Sequence, residues 1–174
     1  GKKVSQLGMV FQNPNQQFTM KTLKKEIIFA LENISLDYEE IERRLSQAVE
    51  LTNTKELLNR EINTLSGGEK QRASLAVVLS MNPNILLLDE PFASIDIASR
   101  KQLIELLGEL KKLGKTIIIS DHDLSHYEGI SDAVLTLTQQ GLRRESKDIL
   151  NLKNEPVLSK NTKTTSFLSL KDVS

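Results

Sequence analysis

The chain has 174 residues, enough for one domain with a substantial core, and 39% hydrophobic with 26% charged residues is an ordinary globular composition. Lys plus Arg is 23 and Asp plus Glu is 23, so net charge gives no ground for a nucleic-acid partner. There is no cysteine, which excludes disulfides and thiolate metal sites and fits a reducing setting; the apolar runs Ile27–Leu31 and Ile85–Leu88 are far too short to span a bilayer.

In chain order, VSQLGMVFQ (Val4–Gln12) reads as a strand ended by the turn residues NPN. TLKKEIIFALEN (Thr22–Asn33) places Leu23, Ile27, Ile28 and Leu31 at helical spacing. Asp37 caps a second helix whose apolar face is Ile41, Leu45, Ala48 and Val49. A third helix follows the glycine pair at Gly67 and Gly68 and runs to Met81. ILLLD (Ile85–Asp89) is a continuous apolar strand, the pattern of a parallel sheet covered on both faces. A helix from Ile97 to Leu113, closed by Gly114, leads to a strand at Lys115–Ser120 and a further strand at Asp132–Thr138. ESKDIL looks like a short helix. The alternation of strands and helices predicts an α/β fold with a parallel sheet core, and the mostly helical stretch from Asn13 to Leu65 reads as an insert beside the sheet. Residues 153–165 are polar and read as a linker; residues 166–174 regain strand-like alternation.

Chemistry concentrates between Thr64 and Asp96. Asp89 and Glu90 end an apolar strand, and the C-terminal edge of a parallel sheet is where α/β folds bind ligands. One carboxylate there can hold a hard cation, and its neighbour can orient a water, although a lone Asp-Glu pair is more often only a strand end meeting a polar turn. Ser66 and Glu69 have capping-box spacing, with Gly67 and Gly68 permitting the turn. The same helix N-terminus, free of side chains, can receive an anion. Both readings of SGGE are compatible.

Taken together, LSGGEKQR (Leu65–Arg72), ILLLDEP (Ile85–Pro91), ASID (Ala93–Asp96), IIISDHDL (Ile117–Leu124) and VFQNP (Val10–Pro14) resemble, in order, the signature, Walker B, D-loop, switch-histidine and Q-loop motifs of ATP-binding-cassette (ABC) ATPases. The resemblance implies part of a P-loop NTPase fold spanning residues 1–152, with a helical subdomain at about 13–80, and it implies ATP and Mg²⁺ as cofactors. By resemblance, Asp89 assists Mg²⁺ and Glu90 polarises the attacking water. Gln12 contacts Mg²⁺ or water, and His122 contacts the γ-phosphate. Ser66, Gly67 and Gly68 act on ATP held by a partner cassette, and Asp96 signals across that dimer. His126 has no such placement and reads as a solvated helix residue.

No G-x-x-x-x-G-K-[ST] loop occurs in the sequence, so the family's phosphate cradle and its lysine are missing. The expectation is a chain that begins inside a domain and hydrolyses no ATP alone. SFLSLKDVS (Ser166–Ser174) resembles the opening strand of a second cassette. VFQNPNQQF, through Gln16, Gln17 and Phe18, resembles the energy-coupling-factor ATPases of vitamin and metal-ion uptake. That likeness implies a transmembrane transporter subunit as partner and residence at the cytoplasmic membrane face. The alternative is a non-transport ABC ATPase such as a ribosome-associated translation factor, for which a more basic chain and a longer charged linker are expected.

Overall fold

The computed structural model describes residues 7–93, 95–124, 126–151 and 166–170. Among the described residues, six strands form one mixed sheet in the order β1-β2-β3-β6-β4-β5. These are β1 (Leu7–Val10), β2 (Ile85–Asp89), β3 (Thr116–Asp121), β4 (Ala133–Thr138), β5 (Gly141–Glu145) and β6 (Ser166–Leu170). Strands β1, β2 and β3 are parallel, with Val10 opposite Leu88 and Asp89 opposite Ser120. The rest of the sheet departs from the parallel expectation. β6 runs antiparallel to both β3 and β4, and β4 turns back on β5 in a hairpin. β5, GLRRE, carries no strand signal in the sequence, because nearly all its residues are exposed and no alternation marks it. Residues 166–170 are a strand of this same sheet; residues 1–6, 152–165 and 171–174, with the linker, lie outside the described residues.

Among the described residues, four α-helices carry the local signals that the sequence shows. Helix α1 (Leu23–Asn33) starts at Thr22, whose hydroxyl accepts from the Lys25 N–H. Helix α2 (Tyr38–Leu51) starts at Asp37, which accepts the Glu40 N–H at 2.9 Å. Helix α3 (Gly67–Ser80) opens on the expected capping box, and α4 (Ile97–Lys112) opens on Asp96 and stops before Gly114, whose φ of 79° suits glycine. The segment expected as a terminal helix forms a single 3₁₀ turn, Lys147–Asn151.

Two apolar clusters hold these parts. In the first, Val10, Leu86, Leu88, Ile117 and Ile119 on one sheet face meet Leu75, Val78 and Leu79 of α3 and Leu103, Leu107 and Leu110 of α4. In the second, Leu23, Ile27 and Leu31 of α1 pack on Ile41, Leu45 and Val49 of α2. Helix α3 belongs to both, since Ala73 and Ala76 face the second cluster. That double duty fixes the helical subdomain against the sheet; truncating the fully buried Leu75 of α3 to Ala should cost about 2–5 kcal/mol. The expected burial of both sheet faces is not found. Positions alternate between buried and half-buried along β2 and β3, and Leu7 and Met9 on β1 are exposed. Among the described residues, α3 and α4 cover one face.

Candidate functional site

The parallel strands end together, and their C-terminal edge collects three of the candidate side chains. Gln12 follows β1, Glu90 follows β2 and His122 follows β3. Gln12 Nε2 donates to Glu90 Oε2 at 2.7 Å, and His122 Nδ1 stands 3.5 Å from Glu90 Oε1. The Glu90 carboxylate is therefore bracketed by an amide donor and an imidazole. It is about a third exposed (31%), whereas His122 is 73% exposed and open to a ligand. Asp89 ends β2 beside them, half-buried.

The backbone at Glu90 is unusual. Its φ is +42°, in the left-handed region that costs a residue with a Cβ about 1–3 kcal/mol. Its N–H still pairs with the Ser120 carbonyl at 2.7 Å, and its carbonyl accepts from the Ala93 N–H at 3.0 Å. The strand thus runs one hydrogen bond past Asp89 and then turns sharply. Adjacent strand residues point to opposite faces in regular β geometry. The left-handed step breaks that rule at the residue that meets Gln12 and His122.

A second cluster forms where α3 and α4 begin. Ser66 accepts the Glu69 N–H at 3.2 Å, and Glu69 accepts the Ser66 N–H at 2.8 Å. Glu69 also binds Arg60 at 2.9 Å. The Ser66 N–H first, and Arg60 in addition, hold the Glu69 carboxyl below its ordinary value. Asp96 caps α4 by accepting from the Ser99 hydroxyl and N–H, which keep its carboxyl low. Neither Gly67 nor Gly68 has positive φ, so a tight turn is not why glycine stands there. A Cβ on Gly68 would lie 2.5 Å from Ser99 Cβ and closer still to its Oγ. Glycine at 68 lets the two helix N-termini touch. Among the described contacts, none joins this cluster to Gln12, Glu90 or His122.

Other candidates sit differently from their sequence reading. His126 is not a solvated helix residue. It lies in a turn, edge-on to Phe92 at 5.8 Å, against Arg100, and 3.4 Å from Asp123 Oδ2. Gln17 is used internally: its amide donates to the Met9 carbonyl at 3.0 Å and its oxygen accepts from the Ser74 hydroxyl. Phe18 packs on the helical cluster, half-buried, while Gln16 is exposed. Glu26 escaped the sequence reading. It is buried and takes the N–H groups of Thr19 and Met20 at 2.9 and 2.6 Å, closing the loop after Gln12 onto α1. An acid on the apolar stripe between Leu23 and Ile27 is the signal that could have found it.

Three motor-like features now coincide: a parallel-sheet edge with a bracketed carboxylate, a glycine-paired helix start, and a helical unit on α3. They define an ATP-binding cassette. A family model described as ABC transporter matches residues 2–93, just over half the chain, and the chain belongs to that family. It is 35% identical over 139 residues to the energy-coupling factor transporter ATP-binding protein of Methanocaldococcus jannaschii, covering 80% of this chain and 50% of that protein. The solved structure of cbiO1 from Clostridium perfringens, part of the ABC transporter complex cbiONQ, matches with a TM-score of 0.66 and 35% identity. That match covers 71% of this chain and 49% of the other. A dimeric ATP-binding cassette in a post-hydrolysis state, bound to ADP and Pi, matches with a TM-score of 0.62 and 26% identity, over 72% and 56% of the two chains. The chain spans from 24% to 55% of the length of the curated relatives it matches.

Proposed function

We propose that this chain supplies the hydrolytic edge of an ATPase that drives transport through a membrane partner of the energy-coupling-factor type. The observation that carries the reading is the convergence of Gln12, His122 and the left-handed Glu90 at one sheet edge. Glu90 orients the attacking water and accepts its proton. His122, the most exposed of the three, donates a hydrogen bond to the γ-phosphate. Gln12 releases Glu90 and turns its amide toward the nucleotide when ATP arrives. Phosphoryl transfer is chiefly positioning and charge stabilisation, so each of these groups carries a large share of the rate.

The donor set suits Mg²⁺. Asp89 offers a carboxylate, and Gln12, once its amide has left Glu90, would offer its amide oxygen. Among the described residues no cluster of three or more His, Asp, Cys or Glu ligands occurs. Mg²⁺ at a nucleotide site is ordinarily held by one or two carboxylates plus phosphates and water, so these residues are enough. When bound it neutralises charge on the phosphates.

The α3 cluster, separate from the Glu90 cluster, fits a site completed by a second cassette. Ser66, Gly67 and Gly68 would face the nucleotide of the partner cassette, and Asp96, anchored to α4, would relay closure. The match to a dimeric cassette and to a member of a transporter complex supports that arrangement. No described helix is long and apolar enough to cross a membrane. The likeness to the ATP-binding protein of an energy-coupling factor transporter and to a part of a transporter complex supports membrane passage through another subunit, with this chain at the cytoplasmic face. Without the phosphate-binding loop, the 174 residues alone should release phosphate from ATP no faster than buffer. Phosphate release by this chain that Glu90→Gln abolishes would overturn the division of labour.

A further inference from the structure

The turn after β3 is held by a buried polar pair that none of the motifs explains. Tyr127 is fully buried although the neighbouring His122 is exposed. Its phenol donates a 2.6 Å hydrogen bond to Asp121 Oδ2. Asp121 is itself only 4% exposed. Its other oxygen accepts the Asp123 N–H at 3.1 Å and lies 3.6 Å from His122 Nδ1. One carboxylate thus joins both sides of His122 to a phenol across the turn.

The Tyr127 ring stacks on Phe92, with centroids 5.2 Å apart and planes at 23°. Phe92 is buried and stands just past Glu90, across Pro91. Arg100 lies 5.6 Å over the Phe92 ring and also meets His126. The contacts run without a gap from the Glu90 turn through Phe92 and Tyr127 to Asp121 and His122. For core packing alone, phenylalanine would serve at 127, because a buried hydroxyl needs a partner and costs stability without one. The hydroxyl here finds its partner in the residue that shapes the His122 turn. Burial, with the Asp121 charge beside it, pushes the Tyr127 phenol far above its ordinary value, so it remains a donor at any physiological pH.

We propose that Tyr127, acting through Asp121 and Phe92, is a positioning residue that sets the separation of His122 from Glu90. It rests on the reading of Glu90 and His122 as the phosphate-facing pair. Without the phenol tie, the Asp121 carboxylate is free to swing, and the His122 turn loses its fixed height above Glu90. The stack on Phe92 would remain, so the core would stay packed while the pair drifts apart.

The test has two arms. The chain contains only two histidines, so imidazole ¹³C–¹H signals are readily assigned with His126→Gln. In the chain as it stands, Glu90→Gln should shift the His122 signal. In a Tyr127→Phe background that response should fall to less than about half, as expected when the two groups are no longer held in contact. Asp121→Asn retains an acceptor for the phenol and should keep most of the response. If Tyr127→Phe does not fold because the carboxylate is left unpaired, Tyr127→Phe with Asp121→Asn removes the charge, still lacks the tie, and should show the same loss. In the second arm, Tyr127→Phe in the full assembled ATPase should lower kcat about tenfold and leave KM within about twofold, the signature of lost positioning. An undiminished His122 response to Glu90→Gln, or an unchanged kcat in an ATPase that Glu90→Gln does inactivate, overturns the proposal. A Glu90-independent ATPase alongside a lost His122 response overturns the functional reading and leaves the brace standing.

Discussion

Replacing Gly68 by Ala separates two roles that a glycine can play at a helix start. The new Cβ would sit 2.5 Å from Ser99 Cβ, whereas carbon atoms in contact are about 3.5–4.0 Å apart. Something must therefore move by about 1 Å at the junction of α3 and α4, and overpacking of this kind costs about 1–3 kcal/mol. The helix itself gains up to about 1 kcal/mol from Gly→Ala, less in a first turn than in an interior. The net loss should be about 0.5–2 kcal/mol. For a domain of this size that lowers Tm by about 1–8 °C. Thermal unfolding followed by circular dichroism reads it directly. Pairing the change with Ser99→Gly removes the obstructing atoms, so Gly68→Ala should be nearly neutral or stabilising in that background. The double-mutant cycle should then show about 1 kcal/mol or more of coupling. Stabilisation by Gly68→Ala alone, or additive effects in the cycle, would refute the close-approach reasoning. Glycine would then stand at 68 only for a ligand.

Glu90→Gly should raise stability or leave it unchanged, because about 1–3 kcal/mol of left-handed strain is relieved against about 0.5–1 kcal/mol of added chain entropy. Denaturant unfolding beside Glu90→Gln, which keeps the strain, checks this, and a large destabilisation by glycine would show that no strain is stored there. The buried Tyr127 gives a pH dependence. Its folded-state pKa lies far above the unfolded value, so its contribution is complete below about pH 10 and is lost as pH rises beyond that, by about 1.4 kcal/mol per pH unit. Absorbance at 295 nm of a Tyr38→Phe chain should show Tyr127, fully buried, staying protonated until the protein unfolds, and Tyr127→Phe should flatten the alkaline decline.

Elements with strong local signals were legible in the sequence. Asp37, Ser66 with Glu69, and Gly114 mark helix ends that the structure reproduces within a residue or two. The apolar strands β2 and β3 declare themselves by composition, and their adjacency brings His122 to Glu90. What escaped depends on distant partners. β5 carries charged, exposed residues and exists because β4 offers it a ladder. β6 is legible as a strand from its alternation, but its place between β3 and β4 is not, because it lies far along the chain from both. Gln17 reads in the sequence only as part of the energy-coupling-factor likeness, yet its bonds go to Met9 and Ser74 on separate elements. The left-handed Glu90 follows from the turn that Ser120 and Ala93 close around it, which no residue type announces. The purpose of Gly68 depends on Ser99, on another helix.

The central claim is that Glu90 is the group that activates water, with Gln12 and His122 arranged around it. The direct measurement is single-turnover ATP cleavage by an ATPase that contains this chain, in the transporter assembly proposed above, parent against Glu90→Gln, with ATP affinity measured in parallel. Removing a general base typically costs about 10²–10⁴ in rate, so cleavage should slow at least a hundredfold while ATP affinity stays within about threefold. Cleavage at the parent rate by Glu90→Gln would contradict the account, and a collapse of ATP affinity would move Glu90 from the chemistry to the nucleotide's binding.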